Sequence, residues 1–81
     1  MKAVEFSGAQ LKADILKEAR ALRRPPGAAE QVAERTVKYV EKWLEGRKVV
    51  TQDDLDRVTA KKLRELDKDL AYIYRNRDKI V

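Results

Sequence analysis

The chain has no cysteine and no histidine, and its 81 positions hold only three glycines, two prolines, one tryptophan and one phenylalanine. Without thiolate or imidazole, the common zinc sites, thiol nucleophiles, disulfides and imidazole general bases are excluded, and no protein-ligated transition metal is expected. The glycines, at positions 8, 27 and 46, are scattered, so there is no phosphate loop. Apolar runs last only a few residues, and Met1 to Gln10 lacks the hydrophobic region of a secretory signal. The expectation is a cytoplasmic protein with no membrane span. Eighty-one residues leave room for one domain, 1–81, with one small core and no separate substrate domain, so an enzyme is not expected.

What the chain has in quantity is charge. Nineteen Lys and Arg face 14 Asp and Glu, giving a net charge of +5 and a charged fraction of 41%. A hydrophobic fraction of 43% still places it among folding chains rather than disordered ones. The positive balance permits phosphate binding, but it is milder than that of dedicated nucleic-acid binders.

The longest helical pattern runs from Ala28 to Glu45. Val32, Ala33, Thr36, Val37, Val40, Trp43 and Leu44 recur at three- and four-residue intervals, with Glu30, Glu34, Lys38, Glu41 and Lys42 on the opposite side. Val40 and Trp43 are expected in the core, Glu34 and Lys38 as an i,i+4 pair, and Gly46 as the left-handed stop. Upstream, Ala3 to Phe6 alternates like a short strand. Ser7 and Gln10 then form a capping-box pattern, with Phe6 positioned to staple onto Leu11, and predict a helix from Gly8 to about Arg23 whose inner face is Leu11, Ile15, Ala19 and Leu22. Pro25, Pro26 and Gly27 read as a stiff break.

Downstream, Thr51 and Asp54 form a second capping box and predict a helix from Gln52 to about Glu65, with Leu55, Val58, Thr59, Leu63 and Leu66 inward and an Asp53–Arg57 pair outside. Asp67 or Asp69 caps a last helix, whose inward residues are Leu70, Ala71, Ile73, Tyr74, Ile80 and Val81. The fold class is therefore mostly α: a small orthogonal four-helix bundle with at most one short N-terminal strand.

Three basic groups stand out: Arg23 with Arg24, Arg47 with Lys48, and Arg75 with Arg77 and Lys79. Cations at helix ends complement the dipole, so each group has a structural explanation beside a phosphate-binding one. Of the tyrosines, Tyr39 and Tyr74 fall at core or rim positions, and Tyr72 alone lies off the buried stripe, where a base could stack. No carboxylate pair is distinctive.

Val50-Thr51 opening a helix with Leu55, Val58 and Leu63, then Leu66 and the run from Ala71 through Tyr72, Ile73, Tyr74, Arg75 and Asn76 to Arg77, resembles the ATP-cone domain. This is the regulatory nucleotide-binding module found at the front of ribonucleotide reductases. Phe6, Leu11 and Ile15 on a first helix, followed by a long second one, extend the resemblance over most of the chain. It implies a non-enzymatic regulatory module with ATP or dATP as ligand. In that family a Lys-Arg-x-Gly hairpin, a lysine entering the first helix and the threonine before the third helix hold the nucleotide. Thr51 falls on the threonine position. Lys12 lies close to the lysine, and the strict register places Gln10 there. The hairpin has no counterpart, since only Met1 to Glu5 precede Phe6. The phosphate donors the resemblance then implies are Lys2, Lys12, Arg47, Lys48 and Thr51, with adenine in a slot bounded by Val4 and Val50. The alternatives are a small nucleic-acid-binding protein using Arg47, Lys48, Arg75 and Arg77, or a protein-interaction bundle with a protein partner or a second copy of itself.

Overall fold

The computed structural model describes residues 6–47 and 49–76. Four helices follow in order: α1 (Gly8–Ala21), α2 (Pro26–Leu44), α3 (Gln52–Leu66) and α4 (Lys68–Arg75). There is no strand among the described residues, and the expected strand at Ala3 to Phe6 lies outside them except for Phe6. No described helix is long and apolar enough to cross a membrane. Sequence neighbours pack together, α1 on α2, α2 on α3 and α3 on α4, and α1 also touches α4 to close the bundle.

Local chemistry explains where each helix starts. The Gln10 N–H donates to Ser7 Oγ at 3.2 Å, capping α1. The reciprocal half of that capping box is absent, because the Gln10 side-chain amide donates instead to Asp14 Oδ1 one turn on, at 2.9 Å. At α3 the box is complete: the Asp54 N–H donates to Thr51 Oγ1 at 3.2 Å, and the Thr51 N–H donates to Asp54 Oδ2 at 3.3 Å. Asp67, not Asp69, caps α4 by accepting the Leu70 N–H at 3.2 Å. The Pro25-Pro26-Gly27 break is shorter than expected. Pro26 and Gly27 belong to α2, since a proline at the first helical position lacks only a donor that would be unpaired there and already has helical φ.

Helix α1 ends at Ala21, two residues earlier than the pattern predicts. The Arg23 N–H donates to the Arg20 carbonyl at 2.9 Å and the Arg24 N–H to the Ala19 carbonyl at 3.0 Å, the paired bonds of a Schellman stop. This turn holds Arg23 at φ 59°, the left-handed region usually given to glycine. An L side chain there costs about 1–2 kcal/mol. Arg23→Gly is therefore expected to stabilise the fold by about 0.5–1 kcal/mol after the added chain entropy of glycine, read as a higher urea midpoint at unchanged slope. A lower midpoint would show that the Arg23 side chain contributes more than its backbone costs. Gly46, at φ 79°, makes the corresponding turn after α2, as the sequence predicts.

The core consists of Leu11, Ile15 and Ala19 from α1, Ala29, Ala33 and Val40 from α2, Leu55, Val58 and Leu63 from α3, and Leu70, Ala71 and Tyr74 from α4, joined by Val50 from the α2–α3 link. Burying a side chain such as Ile15 contributes about 1.5–3 kcal/mol. Thr36 and Thr59 are the buried polar residues among those described, and Thr36 Oγ1 donates to the Val32 carbonyl at 2.8 Å. Where α1 begins it lies close to α2: a Cβ on Gly8 would stand 3.1 Å from Val37 Cγ1. Trp43 departs from expectation. It is half-buried rather than buried, because it sits in the last turn of α2 with the Arg47 guanidinium 4.1 Å above its ring. Leu22, Leu66 and Ile73 are likewise half-buried, and Ile80 and Val81 lie outside the described residues.

Candidate functional site

The first turns of α1 and α3 come together around a cleft of about 130 Å³. Phe6, Leu11, Leu55 and Tyr74 form apolar walls, and Ser7, Gln10, Asp14, Gln52 and Thr59 supply polar edges. The local sequence explains this grouping. Ser7 and Thr51 each start a helix, and the N–H groups of those first turns bring partial positive charge to the same end of the bundle. Gln10 and Gln52 both donate their side-chain amide to a carboxylate four residues on, Asp14 and Asp56, at 2.9 Å in each case. Among the described residues neither Gln carbonyl oxygen accepts a hydrogen bond, so the rim offers acceptors at Gln10, Gln52 and Asp14. Among the described residues no Lys or Arg lines the cleft. Its chemistry is that of a flat, partly apolar group with an amino-bearing edge, not that of a phosphate.

The residues expected to hold phosphates are dispersed. Lys12 is half-buried and reaches across to α2, with Nζ 3.4 Å from Glu34 Oε1 and 3.9 Å from Glu30 Oε1. Glu34 thus pairs across helices rather than with Lys38. Arg47 covers Trp43, and its Nε donates to the Trp43 carbonyl at 2.8 Å. Thr51 is engaged in its cap, next to the cleft residue Gln52. Lys2, Val4 and Lys48 lie outside the described residues. Val50 is 8% exposed and takes its place in the core rather than in the cleft wall.

The basic groups also separate. Arg24 is an internal clamp: Nε donates to Asp67 Oδ2 at 2.9 Å, and Nη2 donates to Asp67 Oδ1 and to Asp69 Oδ2 at 3.1 Å each. Burial pushes the Asp67 carboxyl up, but Arg24 and the N–H groups of Leu70 and Asp69 outweigh burial and hold it below the usual carboxylate range. Hydrogen bonding to Asp67 raises the Arg24 guanidinium in turn. Arg57 pairs with Asp54 at 3.5 Å rather than with Asp53. Arg75 is exposed on α4, whereas Arg77 and Lys79 lie outside the described residues.

Two cations missed by the sequence reading join Arg75. Arg64 and Lys68 line a shallow groove of about 460 Å³ between α3 and α4, together with Tyr72, Arg75 and Asn76. Their spacing carried the signal: 64, 68, 72 and 75 fall at helical intervals, but the break at Asp67 divides them between two helices. Among the described residues no group of three or more acidic side chains gathers to hold a metal ion. No family model matches the chain, and neither a curated protein nor a solved structure matches it.

Proposed function

We propose that this protein is a non-enzymatic nucleotide-binding module, with the base of ATP or dATP seated in the cleft between the first turns of α1 and α3. One observation carries the reading: the two segments on which the ATP-cone resemblance places its ligand contacts, around Gln10 and around Thr51, meet at a single cleft with apolar walls and a rim of acceptors. Phe6, Leu11, Leu55 and Tyr74 suit the faces of a purine. The Gln10, Gln52 and Asp14 oxygens suit its amino group. At about 130 Å³ the cleft is smaller than the roughly 300–1,000 Å³ of ordinary small-molecule sites, so it takes in the base and leaves the phosphates outside.

In this arrangement the phosphates meet helix N-termini and solvent-facing cations rather than a closed cage. Lys12 must exchange Glu34 for phosphate, and Thr51 must share its hydroxyl with the α3 cap. Solvated ion pairs contribute about 1 kcal/mol or less each, which makes the expected affinity weak, with a dissociation constant on the order of 1 mM or about −4 kcal/mol. Titrating ATP while following backbone amide shifts tests the reading. Saturable shifts clustered on Phe6 to Asp14 and Thr51 to Leu55 are expected, reproduced at the cleft by adenosine and not by inorganic triphosphate. Flat or scattered shifts through millimolar ATP would sink it.

A further inference from the structure

We propose a second, independent site: the α3–α4 groove holds a single strand of nucleic acid, with its phosphates on Arg64, Lys68 and Arg75 and a base stacked on Tyr72. All three cations are exposed, and among the described residues no carboxylate lines the groove and none of the three makes an ion pair. Lys12, Arg24, Arg57 and Lys62 are by contrast all paired with carboxylates.

Helix stability accounts for two of the three cations but not for Lys68 or Tyr72. Arg64 and Arg75 stand in the last turns of α3 and α4, where the dipole favours cations. Lys68 is the first residue of α4, where the dipole disfavours one. Tyr72 is anomalous in the same place. It is 65% exposed, while Tyr74 is 2% exposed and Tyr39 is half-buried beneath the Lys62 ammonium at 5.2 Å. Ala60 and Ala71 line the same groove with small side chains, leaving room for a flat group beside the ring.

A row of unpaired cations with an exposed aromatic among them is the combination by which proteins track a nucleic-acid backbone and stack unpaired bases. It favours a single strand over a duplex, whose bases are already stacked and not free to cover Tyr72. It also favours a strand over an anionic membrane surface, which would recruit the cations and gain little from one tyrosine on a floor of alanines.

The test is fluorescence anisotropy of a short labelled oligothymidine strand across a salt series, with no nucleotide present, so that its outcome is separate from that of the cleft. The intact chain is expected to bind at low salt. Arg64→Glu with Arg75→Glu should abolish binding, and Lys68→Ala should reduce the salt slope by about 0.7, the value for one phosphate contact on a single strand. Tyr72→Ala, at an exposed position where the fold is retained by circular dichroism, should weaken binding about 5- to 150-fold, the range for loss of one base–aromatic stack. The proposal is overturned if the strand does not bind at low salt, if duplex binds as tightly and Tyr72→Ala changes nothing, or if only vesicles containing an anionic lipid are bound.

Discussion

Val40→Asp is expected to leave a chain with no cooperative thermal transition. Val40 is fully buried on α2, the helix that packs against both α1 and α3. A carboxylate there loses its water and finds no cation in the buried core, which is built from Leu, Ile, Val, Ala, Tyr and Thr side chains. Ionised, it costs several kcal/mol; protonated, it still leaves polar atoms unsatisfied and removes a valine whose burial contributes about 1.5–3 kcal/mol. A domain of this length has a total stability of about 4–12 kcal/mol, so the change removes most or all of it. Circular dichroism against temperature should show a sloping trace without a native baseline. Trp43→Phe, at a half-buried position on the same helix, should keep its transition. A sigmoidal melt for Val40→Asp within a few degrees of the parent would mean that α2 turns another face to the core.

Leu63→Ala is expected to destabilise the fold by about 2–5 kcal/mol without unfolding it. Leu63 is fully buried on α3, which packs against both α2 and α4. Collapse into the vacated space would require two helices to move at once, and α4 is held in place by Arg24. The cavity therefore persists and the loss should fall in the upper part of that range. Even the lower bound of about 2 kcal/mol corresponds to a drop in Tm of about 8–16 °C for a domain of this size. Urea unfolding should show a lower midpoint with an unchanged slope. A shift below about 4 °C would place Leu63 at the edge of the core instead of at its centre.

Features that depend on three or four consecutive residues were legible before the fold was known. Ser7 and Thr51 cap their helices, and Asp67 is one of the two caps the pattern offered for α4, because a side-chain oxygen reaches an N–H two or three positions on whatever the tertiary structure. The inward faces of α1 and α3 followed from periodicity for the same reason. Partners distant in sequence were not legible. Glu34 joins Lys12, 22 residues away, in place of Lys38, and Arg24 joins Asp67, 43 residues away, in place of simply facing its own helix end. Trp43 was misplaced because its spacing marks the correct face but not how far along the helix the core extends. At the cleft, Gln10 lies on the polar rim, one turn from Asp14 on the same helix, whereas Tyr74 arrives only through packing.

The Arg24–Asp67 clamp bears on the order in which the chain folds. Helices α1 and α2, and likewise α3 and α4, are neighbours in sequence, so each pair closes over a short loop at small entropic cost. Each doubling of loop length adds about 0.6 kcal/mol to closure, and the clamp joins residues 43 apart in sequence. Helix α4 has eight residues, fewer than the roughly 12–15 at which an isolated helix becomes even marginal, so it condenses only onto a surface already formed by the others. Helices α1 to α3 should thus assemble first, with α4 and its latch closing after the transition state. Substitutions at Arg24 and Asp67 would then speed unfolding and leave the folding rate nearly unchanged, so the clamp governs how long the native state persists, not how quickly it is reached.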